Sequence, residues 1–378
     1  MRITIISRSW PSDEHSGVAL CAGLHAKILM AQGHQVSIIG AYSLKEIDLA
    51  VEHKITVPSS GSGALYSPVK IEKVTLEKAF EVTNPELVVI EAWQTALTDS
   101  AIEVASGLHL PILMISHGIS MHPYNSSWKQ RLRSWAWKPY QYFKLPKLLK
   151  KVTAITTLDQ ISTSPRFYDR ELAKKLHIPL YLLRNSPIHW SEKFYARAKR
   201  KPQILVVGYF SPVKNQLAAI QLLASLLPEI HLCFIGDRQG AYFHQCEQAV
   251  HRHNLDERVH FLQDNECDLG QELASSLLVF LPSITEALPM ILIESMACGT
   301  PFVANPVGAV VSFKGGITAD TAQAQLLAVK RLVNDEPLWQ RYSEAGLSQY
   351  KDEFTESGVG RQLANAIEAA SRVNRSSQ

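Results

Sequence analysis

Two carboxylates in the second half of the chain have the type and spacing to bind a ligand rich in hydroxyl groups. Glu286 lies in a loop after a short apolar run, and Glu294 lies in a helix that the sequence predicts to begin near Pro289. Because carboxylates accept hydrogen bonds, Glu286 suits sugar hydroxyls and Glu294 suits a ribose. The free backbone N–H groups at the start of the helix suit a diphosphate. The residues at this helix start are Ala287, Leu288, Pro289 and Met290.

One lysine in the same half of the chain has the chemistry to bind a phosphate. Residues 204–223 have the pattern of a strand, a glycine turn and a helix that starts close to Lys214. A compact ammonium among helix N-terminal amides can neutralise the charge that builds on a departing phosphate. The alternative is that Lys214, Glu286 and Glu294 are ordinary solvated side chains.

A histidine in the first half is placed to bind a hydroxyl group. His117 follows directly after the predicted strand 112–116, and an imidazole at that position can hydrogen-bond a ligand hydroxyl. Glu91 and His122 are further candidates at the same end of the sheet. A structural role is the alternative for each of the three residues.

The elements that must position these side chains alternate along the chain. Short apolar runs rich in β-branched residues are each followed by a stretch of helical period, which is typical of βαβ units in parallel sheets. We therefore predict an α/β protein with two doubly wound sheets, and a surface loop over 53–68. The predicted strands are Ile3–Ser7, Gln35–Gly40, Val69–Val74, Leu87–Glu91, Ile112–Ser116, Val152–Thr157, 204–207, 231–235, 258–262, 278–281 and 301–304.

The chain is predicted to divide into two domains near 185–200, where it becomes polar and basic before a fresh apolar run. The first domain would span 1–185 and the second 186–353, with a terminal segment over 354–378. Ligands of open parallel sheets bind outside the carboxyl ends of the strands. We therefore expect the site in a cleft between two such domains.

Length and composition exclude several classes of protein. A chain of 378 residues is too long for one small binding module. Its composition, with 46% hydrophobic and 19% charged residues, excludes intrinsic disorder. A net charge of +3 does not indicate a nucleic-acid binder. The five scattered cysteines suggest neither a disulfide framework nor a zinc site. No apolar run approaches the roughly 20 residues of a spanning helix, so we expect a cytoplasmic protein.

Motifs that would indicate other chemistry are absent from the sequence. No GxGxxG follows a strand, and GxxxxGK[ST], HExxH and G-x-S-x-G do not occur. These absences argue against a dinucleotide-dependent dehydrogenase and against the corresponding phosphate-loop and hydrolase classes. The sequence also lacks a DxD aspartate pair. We therefore expect a reaction that needs neither a metal ion nor a cofactor.

The stretch 281–309, LPSITEALPMILIESMACGTPFVANPVGA, resembles the donor-binding signature of the retaining GT-B glycosyltransferases of family 4. Glu286 and Glu294 match the E-x7-E pattern of that family. The resemblance covers nearly the whole chain and is strongest over 202–310. It implies the GT-B fold, a donor such as a UDP- or GDP-linked sugar, and a final helix over about 354–372 that crosses back to the first domain.

The resemblance also assigns roles to single residues. Lys214 matches the second member of a basic pair that meets the leaving diphosphate, but Tyr209 stands where the family usually has arginine. Arg238 is a candidate to replace that arginine, and together with Asp237 it would border the nucleotide base. The other residues that match the family are Gly17 near the donor phosphates, His117 near the sugar and Asn185 at the hinge.

The segment 128–151 departs sharply from the near-neutral chain. It contains eight Lys or Arg, three Trp and three other aromatic residues, and no acidic residue. This composition predicts contact with anionic membrane headgroups, the alternative being core aromatics with solvated lysines. Pro139 and Pro146 predict broken helices. The residues predicted to form this membrane or acceptor surface are Lys129, Arg131, Arg133, Trp135, Trp137 and Lys138.

Together these features predict a retaining, metal-independent glycosyltransferase that moves a sugar from a nucleotide diphosphate to a hydroxyl of a glycan or glycolipid. In that reaction Lys214 would stabilise the leaving group, while Glu286 and His117 would orient the sugar. The expected setting is synthesis of cell-envelope polysaccharide or lipopolysaccharide at the inner face of the cytoplasmic membrane. Two alternatives stay open: a nucleotide-sugar epimerase of the same fold, and a non-catalytic subunit that binds glycan or lipid. No nucleic-acid partner is expected.

Overall fold

The computed structural model describes residues 1–11, 17–44, 46–121, 127–187 and 194–372. The chain divides into two units, Met1–Asn185 with Glu356–Gln378, and Ser186–Thr355. Each unit contains a parallel sheet, with seven strands in the first and six in the second. The predicted fold class, α/β with two doubly wound sheets, is confirmed.

The first unit is built on a sheet whose central strands are buried apolar runs. Its strands are β1 Arg2–Ile6, β2 Gln35–Gly40, β3 Lys54–Thr56, β4 Ser59–Ser60, β5 Lys70–Ile71, β6 Leu87–Glu91, β7 Ile112–Ile115, β8 Ala154–Thr157 and β9 Leu180–Leu182. The sheet order is β3-β2-β1-β6-β7-β8-β9 with parallel pairing, while β4 and β5 form a separate antiparallel pair. The chain order reverses between β1 and β6, so the loops after these strands lie where open sheets bind ligands.

Helices cover this sheet, and the helical backbone over 128–149 continues through Pro139. The backbone stays helical across Pro139, because a π-helical turn, Tyr140–Lys144, directly continues the helix that Pro139 ends. The wider turn lets the chain continue past a residue that lacks an N–H, so the predicted break is wrong. The helices of the first half are α1 Gly17–Ala31, α2 Lys73–Thr83, α3 Ala96–Gly107, α4 Trp128–Pro139, α5 Leu145–Leu149 and α6 Tyr168–Lys175.

Two predictions for the region 53–74 are wrong. The predicted strand Val69–Val74 contains only the short β5, and α2 begins inside it at Lys73. The predicted loop 53–68 contains β3, which pairs with β2 at the edge of the sheet. The six residues Val69–Val74 mix three apolar with three charged side chains, and so short a pattern does not separate a strand from the first turn of a helix. The helix α2 buries residues at helical spacing, such as Leu76 and Phe80.

The second unit repeats the design with a six-stranded sheet. Its strands are β10 Lys201–Val207, β11 His231–Ile235, β12 Val259–Leu262, β13 Ser276–Leu281, β14 Phe302–Ala304 and β15 Gly316–Thr318. They lie in the order β12-β11-β10-β13-β14-β15, all parallel. The order reverses between β10 and β13. The helices are α7 Gln216–Leu223, α8 Ala241–Arg252, α9 Leu269–Ser275, α10 Met290–Ala297, α11 Ala322–Asn334 and α12 Glu336–Gln349.

The last helix, α13 Glu356–Arg372, belongs to the first unit. Its buried face, which includes Leu363 and Ile367, joins the core on one side of the first sheet. The side-chain amide of Gln32, the residue after α1, donates to the carbonyl of Gly360 at 3.0 Å. The C-terminal segment therefore completes the core that the N-terminal half begins.

Candidate functional site

Lys214 and Glu286 form an ion pair in the second unit. Lys214 lies in the turn between β10 and α7, and Glu286 lies in the loop between β13 and α10. Because β10 and β13 are parallel neighbours, the loops that follow them lie at the same edge of the sheet. Lys214 Nζ is 2.8 Å from Glu286 Oε1, and the side chains keep 21% and 15% of their surfaces exposed. The pair is partly shielded from water and still accessible to a ligand.

Tyr209 contacts the same lysine. The ammonium of Lys214 lies 5.7 Å from the centroid of the Tyr209 ring, a cation–π distance. Tyr209 is 59% exposed, and it follows Gly208, whose φ of +136° would strain any residue with a side chain. At the position where the resemblance leads us to expect a second cation, the protein therefore has an accessible aromatic ring against Lys214.

The loop that carries Glu286 is held by a close backbone approach. Gly308 has a φ of +55°, and a Cβ at that position would lie 2.4 Å from the Glu286 carbonyl oxygen. The N–H of Ala309 donates to the carbonyl of Ala287 at 2.8 Å. The backbone of Gly308 and Ala309, at the end of the signature stretch, therefore packs against the loop and holds Glu286 in position.

The helix after Glu286 begins where the sequence predicts. Met290 is the first residue of α10 and Pro289 is its N-cap. Leu288 and Pro289 are buried, whereas Ala287 and Met290 are half-buried. Glu294 is only 5% exposed, so the alternative of a solvated helix residue is wrong for this glutamate.

Asp237 and Arg238 lie in the turn after β11. Asp237 is exposed, and Arg238 Nη2 lies 2.6 Å from Glu266 Oε1, a partner 28 positions away that no local pattern predicts. A phosphate bound by Arg238 would have to compete with this carboxylate. Arg238 is therefore already neutralised in this structure, whereas Asp237 is accessible.

His117 in the first unit is held by a buried glutamate. Glu91, the last residue of β6, is 1% exposed, and its Oε2 lies 2.7 Å from His117 Nε2. Its Oε1 lies 2.7 Å from Nδ1 of His25, a fully buried residue of α1. Burial opposes ionisation of Glu91, but the two histidines outweigh burial and lower the pKa of Glu91 to about 2. Of the three residues, only His25 was missed by sequence reasoning.

A second buried carboxyl group anchors the residues on both sides of His117. The Ser116 hydroxyl donates to Asp169 Oδ2, and Trp93 Nε1 donates to the same oxygen at 2.7 Å. The N–H of Gly118 donates to the Ser116 hydroxyl oxygen at 3.1 Å. The backbone around His117 is therefore fixed independently of its own contact with Glu91.

The remaining candidate residues of the first half of the chain are Gly17, Asn185 and His122. Gly17 is the first residue of α1, and a Cβ on it would meet no atom within 4 Å, so packing does not require glycine there. Asn185 is 6% exposed and is the last residue before the second unit begins. His122 lies outside the described residues.

The segment 128–151 exposes one face of α4 to solvent. Trp128, Leu132 and Trp135 are 69%, 56% and 57% exposed, and they lie on one side of the helix. The prediction that Trp137 belongs to this surface is wrong. Trp137 is 5% exposed and packs edge-on against Tyr140 in the core. Arg133 is half-buried and donates to Ser120. The basic aromatic face, as we name it, consists of Trp128, Lys129, Arg131, Leu132, Trp135 and Lys138, all exposed.

Residues 190–349 match the family model described as glycosyl transferases group 1. Over 123 residues the chain is 32% identical to N-acetyl-alpha-D-glucosaminyl L-malate synthase of Bacillus anthracis. That alignment covers 32% of this chain and 31% of the relative, so the chain spans about a third of the length of this curated relative.

Solved structures resemble the chain over nearly its full length. Anabaena HepE, solved in complex with UDP, has a TM-score of 0.72 at 17% identity and covers 98% of this chain and 100% of its own. The lipopolysaccharide outer core galactosyltransferase WaaB has a TM-score of 0.68 at 13% identity, covering 98% and 99%. Fold and family match therefore define the class: this is a protein of GT-B glycosyltransferase fold. The match to the group 1 glycosyl transferase model falls within its second unit.

Proposed function

We propose that the protein is a retaining, metal-independent glycosyltransferase that moves a sugar from a nucleotide diphosphate to a hydroxyl of a glycan or glycolipid. The observation that carries this proposal is the pair of Lys214 and Glu286. It places a cation and a hydroxyl-binding carboxylate 2.8 Å apart at one edge of a group 1 glycosyl transferase domain. A sugar diphosphate needs these two groups side by side, the cation for its phosphates and the carboxylate for its hydroxyls.

Lys214 and the start of α10 would stabilise the leaving group. When the bond between the anomeric carbon and the diphosphate oxygen breaks, negative charge builds on that oxygen. A fixed ammonium and the N–H groups of a helix start stabilise such charge without reorganising. The Tyr209 ring covers one side of the ammonium and so reduces its exposure to water. With this charge supplied by the protein, the proposed reaction needs no metal ion.

The proposed transfer takes place on one face of the sugar. The acceptor oxygen bonds to the anomeric carbon on the side that the diphosphate leaves, and the acceptor proton passes to the departing phosphate oxygen. The configuration of the anomeric carbon is then retained. Glu286 and His117 would orient hydroxyl groups, and Glu294 would accept a hydrogen bond from the ribose.

Nucleotide binding is the first test of this proposal. UDP, GDP and ADP and their sugars are added to the purified chain, and the unfolding temperature is measured. A ligand at 100 times its Kd stabilises the folded state by about 2.7 kcal/mol, so binding by one base should give a clear rise. No rise with any nucleotide at millimolar concentration would contradict the proposal.

A product assay then separates transfer from rearrangement of the donor. The donor that binds is incubated with the protein alone and with lipid-linked or soluble glycan acceptors. We expect a new glycosidic product only when an acceptor is present. An altered sugar nucleotide formed without acceptor would instead identify an epimerase, and binding without any product would identify a non-catalytic subunit.

We further propose that the basic aromatic face binds an anionic membrane surface, where a lipid-linked acceptor would be found. Exposed Trp and Leu side chains suit the headgroup boundary, and the exposed cations Lys129, Arg131 and Lys138 suit anionic lipids. Within the described part of the chain, no helix combines the length and apolar character that crossing a bilayer requires. The contact that we propose is peripheral. The fold neighbour WaaB is by its name a lipopolysaccharide enzyme, which agrees with an envelope-glycan setting.

Vesicle binding tests the basic aromatic face. We expect the protein to sediment with vesicles that contain phosphatidylglycerol and not with phosphatidylcholine vesicles. The double variant Arg131→Gln/Lys138→Gln should lose roughly 10-fold or more in vesicle affinity, since each cation near the surface contributes about 1 kcal/mol. Lys78→Gln/Lys175→Gln removes the same charge from exposed sites elsewhere in the first unit and should bind as the wild type does. Equal loss in both variants would contradict a specific face.

A further inference from the structure

The buried set of His25, Glu91 and His117 determines which nitrogen of His117 is available to a ligand. We propose that Glu91 and His25 are positioning residues that fix the tautomer of His117, with the proton on Nε2 and the lone pair of Nδ1 offered to a substrate hydroxyl. The identity of that hydroxyl, on the sugar or the acceptor, rests on the proposed glycosyltransferase function. The tautomer rests on the buried set alone.

Glu91 can only accept hydrogen bonds in this set. Burial opposes its ionisation, but its contacts with the two histidines keep the pKa low, so at neutral pH the group is a carboxylate without a proton to donate. Each ring nitrogen that faces it must therefore carry a proton. These nitrogens are Nδ1 of His25 and Nε2 of His117, each 2.7 Å from a different carboxylate oxygen.

The proton of His25 cannot move from Nδ1 to Nε2. The Nε2 atom of His25 is fully buried and has no hydrogen-bond partner among the described residues. Moving the proton to Nε2 would bury an unpartnered N–H and would turn a bare nitrogen lone pair towards the carboxylate, and both changes are unfavourable. His25 therefore stays a donor to Glu91 and holds the carboxylate in one orientation.

His117 differs from His25 because it reaches the surface of its unit. Its side chain keeps 7% of its area exposed, and in the described part of the chain its hydrogen bonding is confined to the Nε2 contact with Glu91. Ser116 and Gly118 fix the backbone on both sides. The Nδ1 lone pair is thus the group that remains for a ligand, and it can accept a hydrogen bond from an O–H. The opposite tautomer would present an N–H donor to the same hydroxyl.

Nitrogen-15 NMR of labelled histidines reads the tautomer directly in the full chain without substrate. We expect the wild type near neutral pH to show His117 protonated on Nε2 and bare on Nδ1, with His117→Gln used to assign the signals. A proton on Nδ1 would overturn the proposal. This measurement needs no activity, so it stands even if the glycosyltransferase function is wrong, and a failed tautomer prediction leaves nucleotide binding by the second unit untouched.

Glu91→Gln should reverse the tautomer of His117. The amide offers one acceptor oxygen and one donor NH2 group, and His25 must keep the oxygen because it cannot change tautomer. The NH2 group then faces His117 Nε2 and drives the proton to Nδ1. We expect kcat to fall roughly 100-fold or more, since a wrong tautomer removes the correct hydrogen-bonding group, with the donor KM little changed.

The double variant Glu91→Gln/His25→Gln should restore the wild-type tautomer of His117. The amide introduced at position 25 supplies a carbonyl oxygen for the NH2 group of the amide at position 91. The oxygen of the amide at position 91 can then face His117 and restore the proton on Nε2. Recovery of the wild-type tautomer and of part of kcat would support the proposal. A folded Glu91→Gln protein whose His117 keeps the wild-type tautomer would overturn it. If either variant fails to fold, the wild-type spectrum decides.

Discussion

Replacing Lys214 with alanine is expected to lower kcat by roughly 100- to 1,000-fold, the usual cost of losing a fixed group that stabilises transition-state charge. Lys214 is the cation that contacts Glu286, and the neighbouring Tyr209 ring carries no charge to take its place. Arg238 cannot substitute readily, because it is paired with Glu266. The donor KM should change less than kcat, since the charge on the leaving oxygen is greatest in the transition state. Steady-state kinetics with the identified donor and acceptor measure both constants.

The chain contains a matched control for Lys214. Lys201 pairs with Glu272 at 2.8 Å, the same distance, but it lies at the first residue of β10 and so at the opposite edge of the sheet. Lys201→Ala removes an ion pair of the same length from the same unit and should leave kcat within about twofold of the wild type. If Lys214→Ala retained kcat within tenfold of the wild type, another group would have to neutralise the leaving diphosphate.

The central strands of both sheets could be predicted from the sequence because they are apolar on both faces. Gln35–Gly40 and Leu87–Glu91 were predicted to the residue. Edge strands could not be predicted in the same way. β3 and β9 have three residues each, and no residue in either is fully buried. The strand predicted over Val69–Val74 failed because α2 begins at Lys73, so that only Lys70 and Ile71 form a strand there.

The candidate site shows a similar division. Glu286 and Lys214 could be singled out because each stands in a motif after a strand, and parallel neighbouring strands bring their loops together. His25 could not be singled out, because its partner Glu91 lies 66 positions away and nothing in the sequence of α1 marks this polar residue as buried. Asp169 is hidden in the same way, 53 positions from Ser116. Buried polar contacts between distant elements depend on packing that local sequence patterns do not encode.

Trp137 shows the limit of composition as a guide to surface. The segment 128–151 has the charge and aromatic content of a membrane-binding face, but composition does not assign its aromatic residues to one side of a helix. Helical spacing places Trp128 and Trp135 together, seven positions apart, while Trp137 lies on the side that faces the core. Only the exposed pair therefore belongs to the basic aromatic face.

Arg200 provides the largest stability effect that we expect outside the site. Its side chain is buried beneath the turn that ends α10, the helix that carries Glu294, and its guanidinium stacks on Trp339 at 4.9 Å. Loss of this side chain would take a donor from each of its acceptors, and a buried carbonyl oxygen left unpaired costs about 1–3 kcal/mol. The Gly299 carbonyl keeps a second donor, the Ser343 hydroxyl at 2.6 Å. The acceptors are the carbonyls of Tyr195, Ser276, Cys298 and Gly299 and the hydroxyl of Thr300.

Arg200→Leu is therefore expected to destabilise the second unit by about 3 kcal/mol or more. For a unit of this size that loss corresponds to a fall in its Tm of about 10 °C, measured by calorimetry or by near-UV circular dichroism. Arg200→Lys keeps the charge but not the fork of donors, so it should lie between the wild type and Arg200→Leu. Arg341→Leu removes an exposed arginine from the same unit and should change stability by less than about 0.5 kcal/mol. Equal Tm values for Arg200→Leu and Arg341→Leu would show that the carbonyls find other donors, and that the turn after α10 holds its shape without the guanidinium.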